Sequence, residues 1–180
     1  MPRYLLTLTL PAVLAAACGG NSSPSSPGSG STTTSTCFAV VGNKGTITGS
    51  IAGLAPFNGI IANGGANRVT GGPVPTFTIG ATNVQDGTGV IISGQAVVGT
   101  SAIGLSTNGT NAVSNSISVQ TRSCSAGTGA WFANNAGGSG TITVSSASST
   151  GVSGTFSATL DPGQGFSGTK TITGTFSATF

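Results

Sequence analysis

The segment VSGTFSATLDPGQGFSGTKTITGTFSATF, residues 152–180, spells GTFSAT twice, at 154–159 and 174–179. In the first copy Phe156, Ala158 and Leu160 fall on one side of an extended chain, and Thr155, Ser157 and Thr159 on the other. In the second copy Phe176, Ala178 and Phe180 share the apolar side. Between the copies lies DPGQGFSG, with Asp161-Pro162 and three glycines, a turn-forming composition. Two like strands joined by such a loop predict a β-hairpin whose apolar faces look into one core. A pair of copies twenty residues apart is too few and too short for a solenoid or propeller array.

The same period of two recurs upstream. Ile47, Gly49 and Ile51 alternate with hydroxyl residues, as do Phe77 and Ile79, Ile117 and Val119, and Ile142 and Val144. Threonine suits these positions because β-branched side chains favour a pleated surface. Turn signals punctuate the pattern at Asn43-Lys44-Gly45, Asn58-Gly59, Asn63-Gly64, Asp86-Gly87, Asn108-Gly109 and Gly137-Gly138. Residues 64–73 read as a loop, and Pro73 and Pro75 mark a strand start or an edge. After residue 20 no glycine-free window shows helical spacing. The expectation is an all-β domain over 37–180, an antiparallel β-sandwich or flattened β-barrel of about ten short strands.

Composition excludes several functions. Hydrophobic residues make up 37% and charged residues 4%, so the domain is neither a disordered polyelectrolyte nor a basic nucleic-acid binder. Net charge is +3, one unit of it from Arg3, and Lys44, Arg68, Arg122 and Lys170 are scattered along the chain. There is no histidine, and the acids are Asp86 and Asp161 alone. A Ser-His-Asp or Cys-His arrangement is therefore absent from this chain, as is histidine-based zinc catalysis. Both aspartates stand at turn signals, where aspartate caps its own backbone rather than working as half of a glycosidase pair. The expectation is a protein that is not an enzyme, with no catalytic residue, metal or cofactor.

The first twenty residues, MPRYLLTLTLPAVLAAACGG, have a secretory layout: Arg3, an apolar stretch from Leu5 to Ala17, then Cys18. The apolar run is too short to span a bilayer as a helix. LAAAC at 14–18 resembles the lipobox of bacterial lipoproteins, with Ala15 where leucine is usual and Leu14 one step earlier. That resemblance implies a signal peptide at 1–17, cleavage before Cys18 and acylation of its thiol. Gly19, rather than an acidic residue, implies sorting to an outer membrane where the cell has one. An ordinary signal cleaved near Ala17 would leave a free thiol instead. Residues 19–36, GGNSSPSSPGSGSTTTST, form a flexible tether with a mean reach of roughly 20–25 Å.

If Cys18 carries lipid, Cys37 and Cys124 remain as a pair in an oxidising compartment. They are expected to form a disulfide, the alternative being two separate buried thiols. Trp131 and Phe132 are adjacent, so in a strand they point to opposite faces. One can sit in the core. The other is either an aromatic contact for a sugar or apolar ligand, or a side chain covered by neighbouring loops.

GTITVSSASSTGVSGTFSATL at 140–160 and KTITGTFSATF at 170–180 are similar to the closing half of an uncharacterised family of bacterial lipoprotein β-domains. Ala102 and Ile103 stand where those domains carry an aromatic. That family brings no established activity; the lipobox, the tether and the missing catalytic groups lead to the expectation of a lipid-anchored, non-catalytic domain of the cell envelope. Its partners would be the membrane, through the N-terminal anchor, and an unknown protein or glycan; no nucleic acid is expected. The alternatives are a small ligand-carrying barrel, an integral outer-membrane barrel and a hydrolase. An integral barrel needs aromatic girdles, and residues 37–180 hold one Trp and no Tyr.

Overall fold

The structure is a computed structural model, and it describes residues 38–108, 111–122 and 128–180. Among these, every regular element is a strand. They are β1 (Gly45–Ile51), β2 (Phe57–Ile61), β3 (Ala66–Val69), β4 (Thr76–Thr82), β5 (Gly89–Gln95), β6 (Gly99–Ala102), β7 (Gly104–Asn108), β8 (Asn111–Arg122), β9 (Thr128–Ala133), β10 (Ser139–Ala147), β11 (Gly151–Pro162) and β12 (Lys170–Thr179). All pairings are antiparallel.

The repeated phrase forms the predicted hairpin, β11–β12, and its register explains the repetition. Gly154 pairs with Phe176, Thr155 with Thr175, and Phe156 with Gly174. The two copies of Gly-Thr-Phe thus cross symmetrically, and each phenylalanine faces the other copy's glycine. A Cβ on Gly154 would lie 2.7 Å from Cζ of Phe176, and one on Gly174 would lie 2.7 Å from Cζ of Phe156. Real carbon atoms do not approach that closely, so the rings occupy the room a side chain would need. These glycines belong to the packing and not to turns.

Pairing closes on itself. The order β12-β1-β2-β4-β5-β8-β9-β11 returns to β12 through the β11–β12 hairpin. Two junctions in this ring are thin. β2 meets β4 at Ile60–Thr82 alone, and β9 meets β11 at Phe132–Asp161 and Trp131–Pro162. Thin seams on two sides divide the ring into two sheets, β2-β1-β12-β11-β10-β6 and β3-β4-β5-β8-β9. The architecture is the expected all-β sandwich or flattened barrel. The two inner faces meet where Phe77 of β4 stacks on Phe176 of β12, ring centroids 5.6 Å apart.

Most inward positions are apolar: Ile47, Ile61, Ile79, Ile92, Ile117, Leu160 and Ile172 are all buried. Outward positions carry hydroxyls. Thr48, Thr175, Thr155, Thr143 and Thr100 stand side by side across β1, β12, β11, β10 and β6. The hydroxyls of Thr48 and Thr175 are hydrogen-bonded at 2.9 Å, as are those of Thr100 and Thr143. Such cross-strand pairs contribute about 0.2–1 kcal/mol each, much less than the buried faces opposite them.

Strands number twelve among the described residues, in line with the roughly ten expected. Two expectations need correction. Residues 64–73 are not all loop, since Ala66–Val69 pair with β4, Arg68 opposite Phe77. Asn58-Gly59 is not a turn but lies inside β2, where the ring of Phe57 covers the face of Gly59. Pro73 and Pro75 do precede the start of β4.

Candidate functional site

One end of the barrel gathers the loops β1–β2 (52–56), β4–β5 (83–88) and β11–β12 (163–169). Trp131 sits there. Its neighbours across the sheet are Val119, which is buried, and Pro162, and it alternates with buried Ala133, so it faces inward. Its indole lies back over Gly129, two residues earlier on the same strand, where a Cβ would meet the six-membered ring. Glycine at 129 is the seat that lets the indole lean out toward the barrel mouth. Phe132 points the other way, opposite Ser118 and Asp161. Both aromatics are half-buried. The expectation of opposite faces holds, with Trp131 the one packed against the core.

The mouth is completed by residues that sequence reasoning left aside. Lys170 opens β12 on its inward face, in line with Ile172, Gly174, Phe176 and Ala178. Its Nζ lies 4.7 Å above the Trp131 ring and donates to the carbonyl of Ala52 at 3.1 Å. Phe166, in the β11–β12 loop, tilts against Trp131 with centroids 5.7 Å apart and remains 42% exposed. Trp131 Nε1 donates to the carbonyl of Gly168 at 3.1 Å. The signal for Lys170 was present: in KTITGTF it shares parity with Ile172 and Phe176, an unusual place for a lysine. Phe166 had no such signal, because it lies in a loop without period.

The two aspartates take different structural roles. Asp86 Oδ1 accepts from the backbone N–H of Thr88 at 2.8 Å, the local turn cap expected of it. Asp161 does not cap its own turn. It lies at the end of β11, and its Oδ2 accepts from the N–H of Gly138 at 2.8 Å, tying the β9–β10 turn to β11. The register explains this: Asp161 is paired with Phe132, which brings the turn after β9 alongside. Each carboxylate is thus engaged by a backbone donor, Asp86 within its own loop and Asp161 from the β9–β10 turn.

Two other places hold polar groups. A groove of about 220 Å³ opens over the thin β2–β4 seam between Pro56, Asn58, Ile60, Asn83, Val84 and Gln85. It has no charged or nucleophilic lining group, and Asn83 Oδ1 is taken by the N–H of Gln85 at 3.0 Å. At the opposite end of the barrel, Asn115 is fully buried and donates from Nδ2 to the carbonyl of Ala102 at 2.8 Å, linking β8 to β6. Among the described residues, no group of three His, Cys, Asp or Glu is placed to hold a metal ion.

Cys18, Cys37 and Cys124 lie outside the described residues, as do the signal peptide and the tether. The ring of Phe38 packs against Gly87 in the β4–β5 loop, and Gly89 pairs with Gln120 near the end of β8. Comparison with family models, with curated proteins and with solved structures returns no match for this chain.

Proposed function

We propose that the chain is an exported, lipid-anchored, non-catalytic domain of the bacterial cell envelope, which presents a flattened β-barrel on a tether and uses the Trp131 mouth as its binding site. The observation that carries the first part is LAAAC at 14–18, an apolar secretory stretch ending at a cysteine. Acyl chains on Cys18 would hold the protein by about 0.8 kcal/mol per buried methylene, and more than one chain makes the attachment stable. The outer membrane is the expected address where the cell has one.

The fold supports a domain held beside a membrane rather than one built through it. A membrane-spanning barrel turns apolar side chains outward and polar ones inward. Here Ile47, Ile51 and Phe176 face inward while Thr48, Ser50 and Thr175 face outward. The absence of histidine and glutamate from the sequence, with both aspartates engaged by backbone, supports a non-catalytic role. The ligand-carrying reading is kept as a second one, favoured by a specific observation: a lysine on the core-facing side of a strand at the barrel mouth.

The test is the mass of the exported protein. The expected product begins at Cys18, carries acyl chains and partitions into a detergent phase. Cys18→Ser should release it, shifting essentially all of the protein to the aqueous phase. An exported product with an unmodified thiol at position 18 would overturn the anchoring.

A further inference from the structure

We infer that the Trp131 mouth binds an anionic single-chain amphiphile, with Lys170 receiving the anionic head and the Trp131–Phe166 pair covering the first methylenes. This rests on the reading of the mouth as the binding site and adds the ligand's chemistry to it.

The argument starts from the lysine. Lys170 is at an inward position of β12, opposite buried Leu160, where an apolar residue would complete the face. A lysine is tolerated at such a position when its stem is covered and its head reaches a polar surface. Among the described residues, the partners of its ammonium are the carbonyl of Ala52 and the ring of Trp131, both neutral. An ammonium has three donors, and the Ala52 carbonyl takes one of them. Asp161, the acid nearest in sequence, lies at an outward position of β11 and is bonded to Gly138. The charge complementary to this mouth is therefore negative, and a carboxylate or phosphate head is small enough to meet an ammonium directly.

The cover over the mouth is lightly held. Gly165 and Gly168 flank Phe166 with φ of +85° and +75°, and nothing stands within 4 Å of where a Cβ would be at either. Gly163 is tied to Ala130 by an N–H···O bond of 2.7 Å, and Phe166 to Gly163 within the loop. Beyond that, among the described residues the hydrogen bond joining the loop to the barrel is the one from Trp131 Nε1 to Gly168. Sliding Phe166 off the indole breaks an apolar contact that an alkyl chain can replace. A neutral sugar ring could also stack its C–H face on the indole, but it would leave the Lys170 ammonium without a counter-charge. Deeper in, Leu160, Val119 and Ile172 fill the interior, so the tail lies beneath the loop, along the indole.

Trp131 is the single tryptophan of the chain, which makes its fluorescence a direct report on the mouth. The mature full-length chain carrying Cys18→Ser is titrated with dodecanoate below its micellar concentration, with dodecanol, and with dodecyltrimethylammonium. A saturable change in emission is expected for dodecanoate, with affinity about tenfold above dodecanol, the ratio equivalent to 1.4 kcal/mol. Lys170→Gln should remove that preference and Lys170→Arg should restore it; thermal melts of both confirm the fold. A parallel titration with phosphatidylglycerol vesicles distinguishes the source of the ligand. A response to vesicles but not to monomeric dodecanoate, lost in Lys170→Gln, would overturn the single-chain ligand and assign the anionic head to a bilayer lipid. Equal responses to all three amphiphiles would overturn the anionic head while leaving the mouth as a site. Silence toward every probe would overturn both, with the lipid anchor judged separately by mass.

Discussion

Phe176→Ala is expected to cost about 3–5 kcal/mol of folding stability, the range for removing a large buried aromatic. Phe176 is 2% exposed, stacks on Phe77 across the two sheets and lies over Gly154 of the neighbouring strand. Its loss would strip Phe77 of its partner in the other sheet and uncover a glycine that has no side chain to fill the gap. Collapse into the space is resisted, because Gly154 and Gly174 belong to central strands held on both edges. The reciprocal change, Gly174→Ala, fails for the opposite reason. The added methyl meets the ring of Phe156 and the backbone carbonyl of Thr48, and overpacking of this kind costs about 1–3 kcal/mol or more. Thr175→Ala, one residue away on the outward face, should stay below about 1 kcal/mol, the upper range of a cross-strand pair. Urea denaturation of the three variants checks the order. Equal losses for Phe176→Ala and Thr175→Ala would mean that the two faces of β12 are not inside and outside.

Reduction of the proposed Cys37–Cys124 disulfide is expected to lower stability by about 4.5 kcal/mol on the loop-entropy account, the bond closing a loop of about 87 residues in the unfolded chain. Cys37 and Cys124 lie outside the described residues, and the pair rests on the count of cysteines in the sequence. Among the described residues, Phe38 packs against Gly87, and Gln120 pairs with Gly89. Such a bond would tie the start of the domain to the β8–β9 connection. Two measurements decide it: the mass of the Cys37–Cys124 peptide under non-reducing digestion, and the denaturation midpoint with and without reductant. A double Cys37→Ser, Cys124→Ser variant that is as stable as the untreated protein would remove the disulfide from the account.

Much of this architecture was legible along the chain, for a local reason. In a strand the side chains alternate whatever the strand pairs with, so Ile47 and Ile51, Ile142 and Val144, or Phe156 and Leu160 declare their shared face without knowledge of the partner. The closing hairpin was legible too, since both copies of its phrase and the intervening turn are contiguous. Dipeptides were a poorer guide. Asn58-Gly59 has the composition of a turn, yet Gly59 is glycine because the ring of Phe57 occupies its face. Nor does composition distinguish the aspartate that caps itself, Asp86, from the one that reaches a different turn, Asp161.

Period two, turn chemistry and the residue inventory therefore settle the fold class, the inward face of each long strand and the scarcity of groups for acid–base or metal chemistry, since all three are properties of neighbours in sequence. Closure of the ring, the crossing of each Phe over the other copy's Gly, and the meeting of Lys170, Trp131 and Phe166 at one mouth depend on register between strands distant in sequence. Register is a cooperative property of the whole sheet: it minimises the buried area left uncovered on all strands at once, and no single strand carries it.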